Sequence, residues 1–233
     1  MFHLTYLNYA TIIIDASAVF LVFGILMQTR FMRRSGREAD RLFFRLLITT
    51  VVMAVADVGG YLTEGIAHPG ARLLQFLSMS VFYAAFIILS MLWFDYCLFK
   101  FKNAQKTRKK GFHPAMLPGV LALVVLAVNT ATGWIFSIDD QGGYHRGILF
   151  IPIYVVLAFY ITAGLVMIGR YRTAGKKKLI PLWVYVMPLI VSILVTFVIG
   201  EISMAAFGTA VTIAFTHLGT MNEVAEISTK EIV

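Results

Sequence analysis

The stretch Leu73-Leu74-Gln75-Phe76-Leu77-Ser78-Met79-Ser80-Val81-Phe82-Tyr83-Ala84-Ala85-Phe86-Ile87-Ile88-Leu89-Ser90-Met91-Leu92-Trp93-Phe94 carries no charge over its whole length. A helix needs about 20 predominantly apolar residues to cross the hydrocarbon core of a bilayer, and this segment supplies them. Reading outward from it, six further segments qualify. The predicted spans lie at about 6–28, 42–64, 73–98, 114–134, 147–169, 179–199 and 202–220. The first carries Asp15 and the second Asp57 in its interior, with Glu64 at the second's outer end. The N-terminus lacks the basic region of a cleaved signal peptide, so its apolar stretch reads as the first span. The expected fold is an all-α membrane protein, a seven-transmembrane-helix bundle over residues 1–221. Residues 222–233 follow as a connector stub on the cytoplasmic side.

Composition agrees. Of 233 residues, 59% are hydrophobic and 14% are charged, against roughly 25% charged in a soluble domain. The net charge of +8 would suggest nucleic acid in a soluble protein, but here its placement decides otherwise. Eighteen of the 20 lysines and arginines fall in the links after spans one, three and five, at the start of span two, or in the tail, and only Arg72 and Arg146 lie on the other side. The positive-inside rule then puts the N-terminus outside and the C-terminus in the cytoplasm. The basic links face anionic lipid headgroups, and no nucleic-acid partner is expected. The expected location is the cell inner membrane, crossed several times.

Ionisable residues within spans are costly and tend to face the bundle interior with a partner. Counting from the helix ends places Asp15 and Asp57 at one depth, roughly 12 Å below the outer surface. Two such carboxyls would share a proton or hold a cation; the competing reading is that each simply locks helix packing. Glu64, His68, His145, Arg146 and Glu201 gather near the same face and predict a polar vestibule. Asp15, Asp57, Glu64, Trp134, His145, Arg146 and Glu201 are therefore the candidate ligand-binding residues, with Trp134 as a closing aromatic. Asp95 and Arg45, near the inner ends of spans three and two, are a candidate structural ion pair. Trp93, Tyr96, Trp134 and Tyr144 suit interfacial aromatic belts. Gly59-Gly60 is expected to loosen span two, and Pro152, Pro181 and Pro188 to interrupt spans five and six.

Catalysis is not expected. The five histidines are scattered, and neither His-Glu-x-x-His nor Gly-x-Ser-x-Gly occurs. No metal and no cofactor is predicted. A retinal Schiff base needs a lysine within a span, whereas all nine lysines lie in links or the tail.

The loop Asn129-Thr130-Ala131-Thr132-Gly133-Trp134-Ile135-Phe136-Ser137-Ile138-Asp139, closed by Tyr144-His145-Arg146-Gly147, is richer than a connector requires. It is expected to turn at Gln141-Gly142-Gly143 and to fold over the bundle mouth as a lid, with Trp134 and Phe136 in the interface. It resembles the seven-helix N-terminal sensor region of bacterial diguanylate cyclases and, more loosely, that of membrane histidine kinases. Leu92-Trp93-Phe94-Asp95-Tyr96 is similar to their third helix. In the tail, Leu218, Met221 and Ala225 recur at three-four spacing, as at the start of a coiled-coil connector. Family members continue through Ile-Ser-Thr-Asp into the cyclase domain, whereas here Ile227-Ser228-Thr229 precedes Lys230 and the sequence stops at Val233. The resemblance implies a receptor or sensor module that binds a small ligand from outside. A helix rearrangement would then reach a cytoplasmic output domain or partner, or a homodimer formed through the C-terminal helix. A small proton- or cation-coupled transporter or channel is the alternative, with Asp15 and Asp57 as the coupling pair.

Overall fold

A computed structural model describes residues 6–29, 38–102, 114–173, 183–199 and 203–231. Seven α-helices follow one another: α1 Tyr6–Thr29, α2 Glu38–Thr63, α3 Pro69–Lys102, α4 Leu117–Thr132, α5 Phe150–Thr173, α6 Trp183–Ile199 and α7 Ala205–Glu231. A 3-10 turn at Pro114–Met116 leads into α4. Between α4 and α5 lie two short antiparallel strands, β1 Phe136–Ile138 and β2 Tyr144–Arg146. The basic links at 30–37, 103–113 and 174–182, together with Pro181 and Glu201, lie outside the described residues.

Among the described residues, five helices are long and apolar enough to cross a membrane, and two shorter apolar helices, Val186–Thr196 and Ala205–Leu218, accompany them. The architecture is that of a multi-pass membrane protein. Its outer surface supports this, because large apolar side chains are exposed at helical spacing. Leu117, Leu121, Val124 and Val128 form such a stripe on α4, as do Met187, Val191, Leu194 and Val198 on α6. A water-soluble protein rarely leaves contiguous patches of this kind uncovered. On α1 the buried face is Thr11, Asp15, Ala18, Val22 and Ile25. The helix therefore turns its acid inward and its apolar side out.

α2 packs against α1, α3 and α7; α3 also meets α4 and α5; α6 packs on α7, which returns to α1. The join between α2 and α3 explains Gly59 and Gly60. A Cβ at Gly59 would lie 2.7 Å from Ser78 Oγ, and one at Gly60 would strike Met79 Cε. α2 runs unbroken through both, so the pair brings two helices together rather than loosening one. Small residues serve this purpose commonly where lipid supplies no hydrophobic drive between helices. Pro152 sits in the first turn of α5, where its missing N–H costs no helical bond, so it does not interrupt that helix. Pro188 does lie inside α6, and the Ser192 hydroxyl donates to its carbonyl at 2.7 Å.

The aromatic-belt assignment fails for Trp93, Tyr96 and Tyr144. Trp93 and Tyr96 are buried in the core, and Tyr144 packs inside the hairpin. Arg45 is exposed on α2, and Asp95 is half-buried on α3.

At the start of α4 the Gly119 N–H, which has no helical acceptor, donates 2.9 Å to the buried Tyr160 hydroxyl of α5. A Tyr160→Phe variant leaves that N–H orphaned. It should lose about 1–2 kcal/mol, read as a lower melting temperature in detergent. An unchanged melt would show that this bond contributes nothing.

Candidate functional site

One end of the bundle collects the carboxyl end of α2, the starts of α3 and α5, the end of α6, the approach to α7, and the β-hairpin. The hairpin register pairs Phe136 with Arg146, Ser137 with His145 and Ile138 with Tyr144. Its turn is wound around Asp139, whose Oδ1 accepts the N–H of Gln141 at 2.8 Å and of Gly143 at 2.7 Å. Gly142 adopts φ +81, and a Cβ there would lie 2.7 Å from the Ile66 backbone nitrogen. A side chain would thus be strained and would collide with the α2–α3 turn. The Gly142 carbonyl accepts the Gly65 N–H at 2.9 Å, and Arg72 pairs with Asp140 at 2.8 Å. At the hairpin base, Gly147 donates to Ile135 O at 2.8 Å, and a Cβ on Gly147 would overlap the Trp134 carbonyl. The loop is thus a fixed cover, tied to α2–α3 at its tip and to α4 at its root.

Beneath it lies a cleft of about 490 Å³, open solvent at its mouth included. Asp57, 2% exposed, reaches it and accepts a hydrogen bond from Ser203 Oγ at 2.5 Å. Behind Asp57 lies the fully buried Asp15, near enough that the two carboxyls interact as like charges. Among the described residues neither Asp15 oxygen has a conventional donor. Two carboxyl groups that meet this way need a proton or a cation between them, because like charges in low dielectric repel strongly.

The walls are aromatic. Tyr83 stacks on Phe136 with centroids 5.5 Å apart, and Phe136 stacks on Tyr144 at 5.9 Å. The Tyr83 and Tyr144 hydroxyls are bonded at 2.6 Å. Burial pushes the Tyr144 phenol up to about 12, so it remains a neutral hydroxyl at physiological pH. Tyr61 and Tyr154 also face the cleft. At the rim, the Arg146 guanidinium lies 4.7 Å above the Phe150 ring, and Glu64 accepts from Asn8 Nδ2 at 3.4 Å. Gln75, 1% exposed, lines the cleft with neither its amide oxygen nor its nitrogen bonded among the described residues.

Of the residues singled out from sequence, Asp57, Glu64 and Arg146 line the cleft, and Asp15 supports its floor. Trp134 and His145 are not in the lining. Trp134 is 46% exposed beside the hairpin, while Phe136, expected in the interface, is fully buried under it. The His145 ring turns away to Asp139 Oδ2 at 2.8 Å. Glu201 lies outside the described residues. Gln75, Ser203, Tyr61, Tyr83 and Tyr154 were not singled out. Gln75 had a signal, as a lone amide in an uncharged span; Ser203 had none. Among the described residues no three of His, Cys, Asp and Glu converge as a metal site.

His145, with two backbone N–H groups, holds the Asp139 carboxyl below the ordinary carboxylate range. A carboxyl depressed in the folded state contributes stability above its unfolded pKa of about 3.9 and loses it as pH falls through the folded value. Exchange protection of the Gln141 and Gly143 amides should therefore hold at neutral pH and decline as pH drops below about 4. The decline should be absent in Asp139→Asn. Equal pH profiles in both proteins would remove Asp139 from this role. Compared with known proteins, the chain matches no family, no curated protein and no solved structure.

Proposed function

We propose that the chain is a sensor module of the cell inner membrane. All seven helices span it, with Val186–Thr196 and Ala205–Leu218 at the heart of the sixth and seventh spans. The hairpin end faces outward and the far end of α7 lies in the cytoplasm. The lysine and arginine asymmetry supports this orientation, and the likeness of the hairpin and of the Leu92–Tyr96 string to diguanylate cyclase sensor regions supports the role. A small ligand entering the cleft is sensed through helix packing and reported along α7. The recipient is a cytoplasmic output domain, a partner, or a second copy joined through the C-terminal helix.

The carrying observation is the Ser203–Asp57 bond. Ser203 lies two residues before α7 begins, so the floor of the cleft is tied to a helix that continues unbroken to Glu231. A ligand that engages Asp57 differently in two packing states shifts their populations, which is the thermodynamic requirement for a receptor.

The test uses the full chain in lipid nanodiscs, with an environment-sensitive label on Val224→Cys; the native thiol, Cys97, is buried. Compounds that raise the melting temperature in a metabolite screen should also change the label signal. Ser203→Ala should keep the binding and blunt the change. Compounds that bind, cross proteoliposomes and leave the label silent would overturn the sensor in favour of a transporter. The Asp15–Asp57 interaction is the observation favouring that second reading, since paired membrane carboxyls suit proton coupling. Flux would then be lost in Asp15→Asn.

A further inference from the structure

We propose that the cleft recognises a small organic amine, whose ammonium group pairs with Asp57 and drives off the proton that Asp57 shares with Asp15; this rests on the reading of the cleft as a ligand site. The displaced proton leaves to solvent, so charge is conserved on the floor.

Three independent features converge on this chemistry. The first is the floor. Asp57 reaches the cleft, and among the described residues no donor satisfies the Asp15 oxygens behind it. Such a pair is complementary to a donor-rich cation and repels an anion. An ammonium carries three donors and no acceptor. It can bond to Asp57 without disturbing the Ser203 hydroxyl, which already fills one lone-pair direction on Oδ2.

The second feature is the wall. Tyr61, Tyr83, Tyr144 and Tyr154 line the cleft together with Asp57. An aromatic wall gives the carbon skeleton of an organic amine an apolar surface to bury. The titratable groups facing Asp57 are acids and neutral phenols. They are Asp15 from α1, Tyr61 and Glu64 from α2, and Tyr83 from α3. Tyr144 of the hairpin and Tyr154 of α5 complete them. Among the described residues of the lining, the cation is Arg146, exposed at the rim over Phe150.

The third feature is Gln75. Its amide is buried, lines the cleft and lacks a partner on both atoms among the described residues. Buried polar side chains are overwhelmingly hydrogen-bonded in native structures, so an unsatisfied amide aimed into a cavity marks a place for a ligand donor and acceptor. The amide can accept a second ammonium proton or donate to a polar substituent beside it.

The test takes the full chain in nanodiscs through melting curves at fixed ionic strength. The probes are the straight-chain amines from propylamine to hexylamine and 2-phenylethylamine, each beside its matching alcohol and carboxylate, at about 10 mM. At least one amine is expected to raise the melting temperature and to bind at least about tenfold more tightly than its alcohol, since bonds to charged groups are the stronger class. Calorimetry in two buffers of different ionisation enthalpy should show proton release on binding. Asp57→Asn keeps the shape and an acceptor for Ser203, and it should remove both the tenfold preference and the proton release. Gln75→Leu should weaken every compound that binds.

Absence of binding by all the amines would overturn the proposal, as would equal binding of amine and alcohol. A carboxylate or alcohol that binds best and is lost in Gln75→Leu would overturn the amine chemistry alone. Binding that survives both Asp57→Asn and Gln75→Leu would overturn the cleft as the site.

Discussion

Asn129→Leu is expected to cost about 3–5 kcal/mol, close to the stability of many small domains, with the loss concentrated at the hairpin. Asn129 is 1% exposed in the last turns of α4. Its Oδ1 accepts the Ile135 N–H at 2.7 Å and, more weakly, the Phe136 N–H at 3.4 Å, while Nδ2 donates to Phe136 O at 3.0 Å. Leucine matches the volume and removes all three bonds. The backbone of Ile135 and Phe136 stays buried, since both side chains are fully enclosed, so its polar groups cannot turn to water. Each orphaned group costs about 1–3 kcal/mol, which is where the sum comes from. Thr130→Ala, at an exposed neighbour, should change little. The check is a thermal melt in detergent with exchange rates of the Ile135 amide. A leucine variant melting with the wild type would mean that the hairpin is held from its tip alone, through Gly65–Gly142 and Arg72–Asp140.

The second large effect concerns the paired carboxyls. Asp57→Leu strips Ser203 of its acceptor and leaves Asp15 buried with no group to share its proton. Breaking a buried charged or proton-sharing pair from one side typically costs about 3–5 kcal/mol. Asp15→Leu should cost less, because Asp57 keeps Ser203. The double variant should recover about 1–3 kcal/mol relative to Asp57→Leu, since it removes the stranded carboxyl too. Asp15→Asn should be neutral or stabilising at neutral pH, because an amide donor replaces the shared proton. Chemical melts of the four proteins form a double-mutant cycle. Additivity within about 0.5 kcal/mol would show that the two residues do not interact.

Much of the helical layout follows from run lengths, since apolar stretches of about 20 residues have few alternatives. The depth count that placed Asp15 and Asp57 on one level is a matter of helical rise, and in the structure the two carboxyls interact as neighbours. The hairpin was not legible as strands. Three residues per strand are too few for alternation to register, and what shapes it is Asn129 and the turn at Asp139, both side-chain effects. Trp134 looked like the lid by size, yet Phe136 lies beneath the hairpin because its strand position turns it inward. Ser203 reaches Asp57 across 146 positions of chain, a distance no local pattern encodes. Gly59-Gly60 and Pro152 were misread for a related reason. Both are helix-breakers by propensity, and tertiary closeness or a first-turn position removes the penalty.

The unbroken length of α7 has a mechanical consequence. Its 27 residues make a rod about 40 Å long. Pivoted near Ser203, a tilt of about 5° sweeps the opposite tip by about 3–4 Å over that length. On the proposed sensor reading the rod is a boom hinged at Ser203, and the bilayer sets how much of its length swings free. Membrane thickness changes that free length, so the same ligand should drive a different stroke in thin and thick membranes. Comparing the Val224→Cys label response in short- and long-chain lipids would measure that gearing, and identical strokes in both would place the pivot elsewhere.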